Sequence, residues 1–318
     1  MIYKVLIHIG YNKSATTLFQ KYIFPNQKNI NYLNNNGDQF LRDLRNLIHN
    51  SNLKTTELQK KSKILIKKHK SIFKKGITNL ISQGYFSEIF SYKESYFFSE
   101  YKSIDTNFFS KNLKKLKLIF SKRNGFELKV LYTFREPHLM IKSYINERSF
   151  NFEIIDHNFF KDDLFDLKNL NKLNFEKKKI VKFLINHFNV YEFDKKCRRI
   201  IGNKNTIGYF VNNDKSDRII NNFFKKLDLN IKKKDFKRRV NTNPKGQLKG
   251  KNKTSFRFSS LRVNFFARLK YYYKIYLWRM TKANRSNVFY FLNENDDKLK
   301  KFYHPKLNFL KNNKLILY

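Results

Sequence analysis

Acidic residues are scarce in this chain. Its 318 residues include 25 Asp+Glu against 67 Lys+Arg, a formal net charge of +42. Such a balance favours anionic partners: nucleic acid, an anionic membrane surface, or acidic glycans and small molecules. Cysteine is nearly missing. Cys197 stands alone, so no intramolecular disulfide forms and nothing demands an oxidising compartment. Nine glycines and four prolines leave little material for long flexible linkers. No apolar run approaches the ~18–20 residues of a membrane span. The N-terminus begins with a strand-like run and lacks the charged-then-apolar layout of a secretory signal. A cytoplasmic location is therefore expected.

What is present argues for a folded protein. Hydrophobic residues make up 41% and aromatic residues 17%, well outside the range of disordered chains. The length allows one large α/β domain or two smaller ones. The positive charge is spread along the whole chain, among many Lys, Asn, Ile, Phe and Tyr. That is the composition an A+T-rich genome imposes, so charge counts for only half as a clue to the partner. Zinc-finger spacing and aromatic RNA-binding signatures are both missing, and specific nucleic-acid binding is not expected.

The most informative stretch runs from Ile7 to Thr17 (Ile-His-Ile-Gly-Tyr-Asn-Lys-Ser-Ala-Thr-Thr). Ahead of it, Ile2 to Ile9 is an apolar, β-branched run that predicts a buried strand. Behind it, Leu18 to Phe24 keeps an apolar face at helical spacing, and Pro25 marks the stop. A strand-to-helix junction presents outward backbone N–H groups and the positive end of a helix dipole. Lys13 adds an ammonium, and Ser14, Thr16 and Thr17 add hydroxyl donors. The physical reading is a loop that wraps a phosphate or similar oxyanion. A nucleoside-triphosphate loop needs Gly-x-x-x-x-Gly-Lys-Ser/Thr; here Gly10 is three residues before Lys13 and no glycine directly precedes the lysine.

A second strand-to-helix junction follows. Phe126 to Phe134 is β-branched and aromatic and is preceded by Asn124-Gly125, which predicts a strand. It ends in Arg135-Glu136-Pro137. Pro137 suits the first turn of a helix, and His138 to Phe150 reads helically, with Leu139, Ile141, Tyr144 and Ile145 available for the core. Ser143 lies about two turns beyond Arg135. A guanidinium at a strand's carboxyl end is well suited to grip a phosphate through paired, charge-assisted bonds.

Together the two junctions resemble the sulfotransferase family. The first is similar to that family's 5′-phosphosulfate loop, roughly His-Ile-Gly-x-x-Lys-Ser/Thr-Gly-Ser/Thr-Thr, with Ala15 where the family usually has Gly. The second is similar to its 3′-phosphate motif, Arg-x-Pro-x5-Ser-x-Tyr or close to it, with Tyr144 directly after Ser143. The resemblance implies an α/β, P-loop-like three-layer fold with a central, mainly parallel sheet flanked by helices. It implies a 3′-phosphoadenosine 5′-phosphosulfate co-substrate and no metal. Asn12, Lys13, Ser14, Ala15, Thr16 and Thr17 would hold the 5′-phosphosulfate, and Arg135 with Ser143 the 3′-phosphate. Lys13 would also neutralise charge on the bridging oxygen during transfer. The acceptor would be a hydroxyl-bearing molecule, a carbohydrate by preference, modified on a single domain spanning 1–318.

In the bacterial and heparan-type members, a strand after the first helices ends in Ser-x-Glu or Ser-Glu, its carboxylate near the acceptor hydroxyl. Two alignments stay open. In one, Glu88 of Phe86-Ser87-Glu88 is the base. In the other, Leu80-Ile81-Ser82-Gln83 is the strand end and a glutamine replaces it. His8 is a weaker candidate base, with a structural role in fixing the loop as the more ordinary reading. Arg239, Asn241 and Lys245 could belong to a late basic loop over the nucleotide, although a plain turn explains 238–246 as well. From about 250 to 318 the chain is basic, aromatic and helical in pattern; 256–279 could pack on the core, line a glycan groove or lie on the inner face of an anionic membrane. Two other functions compete: a P-loop-type nucleotide kinase or phosphotransferase, and a non-catalytic basic binding protein on a degenerate nucleotide-binding fold. The sequence leaves the oligomeric state open.

Four further expectations concern local structure. Residues 26–36, rich in Asn, read as a loop. Helices are expected from Asp38 to about His49, from Thr56 to Lys75 with Gly76 as its C-cap, over 107–120, and over 176–188 and 213–227. Val190 to Phe193 reads as a short strand and Thr206 to Val211 as another. The end, from Asn293, reads as a helix and tail.

Overall fold

The computed structural model describes residues 2–10, 18–36, 38–50, 53–83, 108–141, 178, 181–182, 184–186, 188–211, 218, 221, 224–225, 227–230, 296–312 and 316–317. Among the described residues six strands form one sheet: β1 (Tyr3–Gly10), β2 (Ile30–Tyr32), β3 (Thr78–Ser82), β4 (Phe126–Phe134), β5 (Thr206–Phe210) and β6 (Ile316–Leu317). Their order is β2-β3-β1-β4-β5-β6 and every pairing is parallel. The longer helices among the described residues are α1 (Asp38–His49), α2 (Thr55–Lys68), α3 (Phe108–Ile119), α4 (Val190–Ile201) and α5 (Asp296–Asn312).

Parallel strands buried on both faces need apolar residues at odd and even positions alike. β1 meets that demand. Val5, Ile7 and Ile9 belong to one core cluster with the buried faces of α1 to α5, whereas Leu6 belongs to the other. The second cluster packs the helical turns after β1 (Leu18, Phe19, Ile23, Phe24) with Phe224, Leu227 and Leu229 against the opposite face. The arrangement is a three-layer α/β fold with a parallel sheet at its centre.

The described parts of two crossovers lie on opposite faces. Between β1 and β2, Leu18, Phe19, Ile23 and Phe24 pack on the second face; between β4 and β5, Met140, Ile141, Leu184, Phe188 and α4 pack on the first. Adjacent strands whose connections leave in opposite directions open a crevice at their carboxyl ends, where open α/β sheets bind ligands. Here the switch point lies between β1 and β4.

Several local expectations need correction. Residues 26–36 are not a loop throughout: Ile30–Tyr32 is an edge strand and Leu33–Asn36 a helical turn. The strand forms because Ile30 and Tyr32 pack into the second cluster while Asn31 donates to Asn79 Oδ1 (2.8 Å) and the Ile72 carbonyl (2.6 Å). Helix α2 ends at Lys68 instead of Lys75, and Gly76 (φ 77°) serves the turn into β3. Val190 to Phe193 is helix, not strand. The Asn189 side chain caps α4 by accepting from the Glu192 N–H, and Val190, Phe193, Asp194, Cys197, Ile200 and Ile201 make one buried stripe. Leu139 is exposed, whereas Ile141 is buried as expected. The tail includes β6, which pairs with β5 at the sheet edge.

Other expectations hold. Asp38–His49 and Phe126–Phe134 match their predicted bounds, and Thr206–Phe210 is a strand. Gly125 reaches φ 82° in the turn that starts β4, a conformation that strains residues with a Cβ. Residues 142–177, 231–295, Tyr144, Ile145 and the loop 238–246 lie outside the described residues.

Candidate functional site

The two motifs found in the sequence start from the two strands that flank the crevice. β1 stops at Gly10 and helical geometry begins at Leu18, so 11–17 bridges a strand end and a helical turn. β4 stops at Phe134, directly before Arg135, and 137–141 is helical. The ladder pairs Gly10 with Thr133. Adjacent strands lie about 4.8 Å apart, and each residue adds about 3.3 Å along a strand. Arg135 thus begins roughly two residues beyond the point where 11–17 leaves β1.

Arg135 is half-buried, and no carboxylate among the described residues pairs with it. Gly10 is buried and carries no side chain to fill the crevice. Asn12, Lys13, Ser14, Ala15, Thr16, Thr17, Glu88 and Ser143 lie outside the described residues, as does 256–279. β3 ends at Ser82, with Gln83 next, which is the strand end of the second of the two alignments.

Beneath the crevice lies a polar cluster that the sequence reading only partly anticipated. His8 is fully buried, its ring against Phe19 and Phe24 at centroid distances of 5.3 and 5.0 Å. Its Nδ1 is 2.7 Å from Ser82 Oγ and its Nε2 is 3.0 Å from Thr133 Oγ1. Burial without a charged partner drives the imidazole pKa down to about 3, so the ring is neutral. One nitrogen then donates and the other accepts. A neutral imidazole with both nitrogens engaged and no exposure cannot reach an acceptor, which removes His8 as a base.

Ser82 is itself fixed from the flank. Gln20 Nε2 and Asn34 Nδ2 donate to its carbonyl oxygen at 2.9 and 2.8 Å, and its N–H donates to Asn34 Oδ1 at 3.0 Å. The Gln83 N–H donates to the His8 carbonyl at 3.2 Å. Thr133, Asn34 and Gln20 were missed by the sequence reading. One signal could have found Thr133: aligning the predicted strands so that Gly10 and Arg135 both reach the carboxyl edge puts a threonine opposite the buried histidine's end of β1.

Below the sheet, Tyr132 OH and Arg198 Nε both donate to the buried carboxylate of Asp194. Burial, and then that carboxylate, push the Cys197 thiol up, which leaves it an inert core residue. Among the described residues no helix is long and apolar enough to cross a membrane. Comparison with protein-family models, curated proteins and solved structures finds no match to the chain.

Proposed function

We propose that this protein is a sulfotransferase that moves a sulfuryl group from 3′-phosphoadenosine 5′-phosphosulfate to a hydroxyl of an acceptor, a carbohydrate by preference. One observation carries the reading. The motif similar to a 5′-phosphosulfate loop and the motif similar to a 3′-phosphate site leave adjacent parallel strands, in register at Gly10 and Thr133, at the switch point of the sheet. A ligand with anionic groups at two ends of a nucleoside needs two such grips on neighbouring strand ends. A P-loop-like character of the 11–17 segment belongs to the same reading.

The donor supplies an activated S–O bond. The acceptor oxygen forms the new bond to sulfur while the bond to the 5′-phosphate oxygen breaks, and the acceptor proton passes to a base. In this chain Lys13 would neutralise the oxygen that leaves. Asn12, Ser14, Thr16, Thr17 and the backbone at Ala15 would hold the 5′ end. Arg135, aided by Ser143, would hold the 3′-phosphate and set the distance between the two grips. Glu88 is the proposed base.

Isothermal titration with 3′-phosphoadenosine 5′-phosphate against ATP tests the reading. Binding of the bisphosphate in preference to ATP, without magnesium, supports it. Magnesium-dependent preference for ATP points to a phosphotransferase, and failure to bind either nucleotide points to a non-catalytic binding protein. Either outcome sinks the sulfotransferase reading. A panel of glycans assayed with radiolabelled donor then identifies the acceptor class.

A further inference from the structure

Three strand ends meet at one side chain. His8 is two residues before the end of β1, Ser82 is the last residue of β3, and Thr133 precedes Arg135 by two residues. All three side chains point to the same sheet face, where the ring spans β3, β1 and β4. From these strand ends leave the segment 11–17, the segment that begins at Gln83 and leads to Glu88, and the segment that begins at Arg135. The backbone adds a further tie, because the Gln83 N–H bonds the His8 carbonyl.

We propose that His8 is the positioning residue of the donor site: by engaging Thr133 through Nε2 and Ser82 through Nδ1, it fixes the ends of β1, β4 and β3, from which the segments of the proposed site leave, relative to one another. The inference rests on the sulfotransferase reading for the identity of the ligand. Sheet hydrogen bonds fix strand register but leave the last residue or two of each strand free to fray. A buried ring held on both sides by hydroxyls removes that freedom at the level where the loops depart. Breaking either bond strands a buried polar atom, so the arrangement is rigid.

The two nitrogens have separable consequences. The link to Thr133 ties β1 to β4, the strands from which the two proposed phosphate grips leave, whereas the link to Ser82 ties β1 to β3, the strand that precedes Glu88 in the chain. A glutamine at position 8 can reproduce only the Nε2 contact, and an asparagine only the Nδ1 contact. Thr133→Val keeps the shape of the residue and removes its hydroxyl.

The test combines titration of 3′-phosphoadenosine 5′-phosphate with amide hydrogen exchange on the intact chain. Thr133→Val and His8→Asn are expected to weaken the bisphosphate roughly ten- to a hundredfold. His8→Gln should stay within about threefold of wild type, a rescue that a general packing defect would not show. Exchange should quicken across 9–17 and 134–143 in the first two variants and stay unchanged in 206–210. If Thr133→Val does not fold, His8→Asn decides, since it removes the same link from the other side. Equal affinity in wild type, Thr133→Val and His8→Asn overturns the positioning role, and so does unchanged exchange across the two segments. A wild-type protein that does not bind the bisphosphate overturns the sulfotransferase reading instead, and the exchange measurements then decide the positioning role alone.

Discussion

Gly10 and Thr133 are direct partners in the β1–β4 ladder. That pairing sets where Arg135 stands relative to the loop after β1, and it makes the guanidinium's role separable from general charge. Arg135→Ala should weaken binding of 3′-phosphoadenosine 5′-phosphate by about 1.5–3 kcal/mol, the range of a hydrogen bond to a charged group. The loss should vanish with adenosine 5′-phosphosulfate, which lacks the 3′-phosphate. Calorimetry with both ligands on both proteins closes the cycle. An equal loss for the two ligands would show that Arg135 acts only through the overall positive field.

Lys13 is assigned to charge that develops during transfer. Its replacement by alanine should lower turnover by about 10²–10³-fold, as removal of a single transition-state donor does elsewhere. Affinity for the product bisphosphate should fall too, because its 5′-phosphate keeps the oxygen that Lys13 neutralises, but only by the roughly ten- to hundredfold of one charge-assisted hydrogen bond. Single-turnover assays with labelled donor read the first quantity and titration reads the second. A variant that keeps wild-type turnover refutes the role.

The architecture was largely legible in the sequence, and the reasons for the misses are physical. β1 and β4 announced themselves because each is a long apolar run ending in a polar, loop-forming segment. β2 did not, since an edge strand of three residues between Asn-rich flanks has no periodicity to read. Val190-Tyr191-Glu192-Phe193 alternates like a strand in isolation, and only the later Asp194, Cys197, Ile200 and Ile201 reveal the helical stripe. The two motifs behind the proposed anion grips could be read from the sequence because their chemistry lies in contiguous residues. The His8–Ser82–Thr133 contact was not, because it joins residues from three strands and requires their registers.

The identity of the base follows from which carboxylate reaches the acceptor. β3 ends at Ser82-Gln83, and an amide there cannot take a proton. With Glu88 as the proposed base, Glu88→Gln should lower turnover by about 10²–10⁴-fold and flatten the acidic limb of the pH–rate profile. Gln83→Ala should change turnover by no more than a few fold, because the bond to His8 comes from its backbone. Full activity in Glu88→Gln would send the search to another group.

Asp194 is 2% exposed and accepts from both Arg198 and Tyr132. Removing one partner of a buried ion pair leaves the other uncompensated, at a cost of about 3–5 kcal/mol. Asp194→Ala should lose that much in urea unfolding, while the bisphosphate affinity of the folded fraction stays at the wild-type value. A destabilisation below about 1 kcal/mol would mean that water reaches the pair and screens it.

Among the described residues, two histidines held neutral give acid sensitivity. Burial drives His8 down to about 3, and burial together with the Arg45 and Lys115 charges drives His49 down to about 4. In the unfolded chain both titrate near 6.5. Between about pH 4 and pH 6.5 the unfolded state therefore binds more protons than the folded one, so stability rises with pH across that window and levels off above it. Each group contributes a slope of up to about 1.4 kcal/mol per pH unit. Urea midpoints measured from pH 4 to 8 should show this slope in the wild type, and His8→Asn should remove about half of it. An unchanged slope in that variant would mean that His8 is protonated in the folded protein, which would also break the donor–acceptor pattern that joins Ser82 to Thr133.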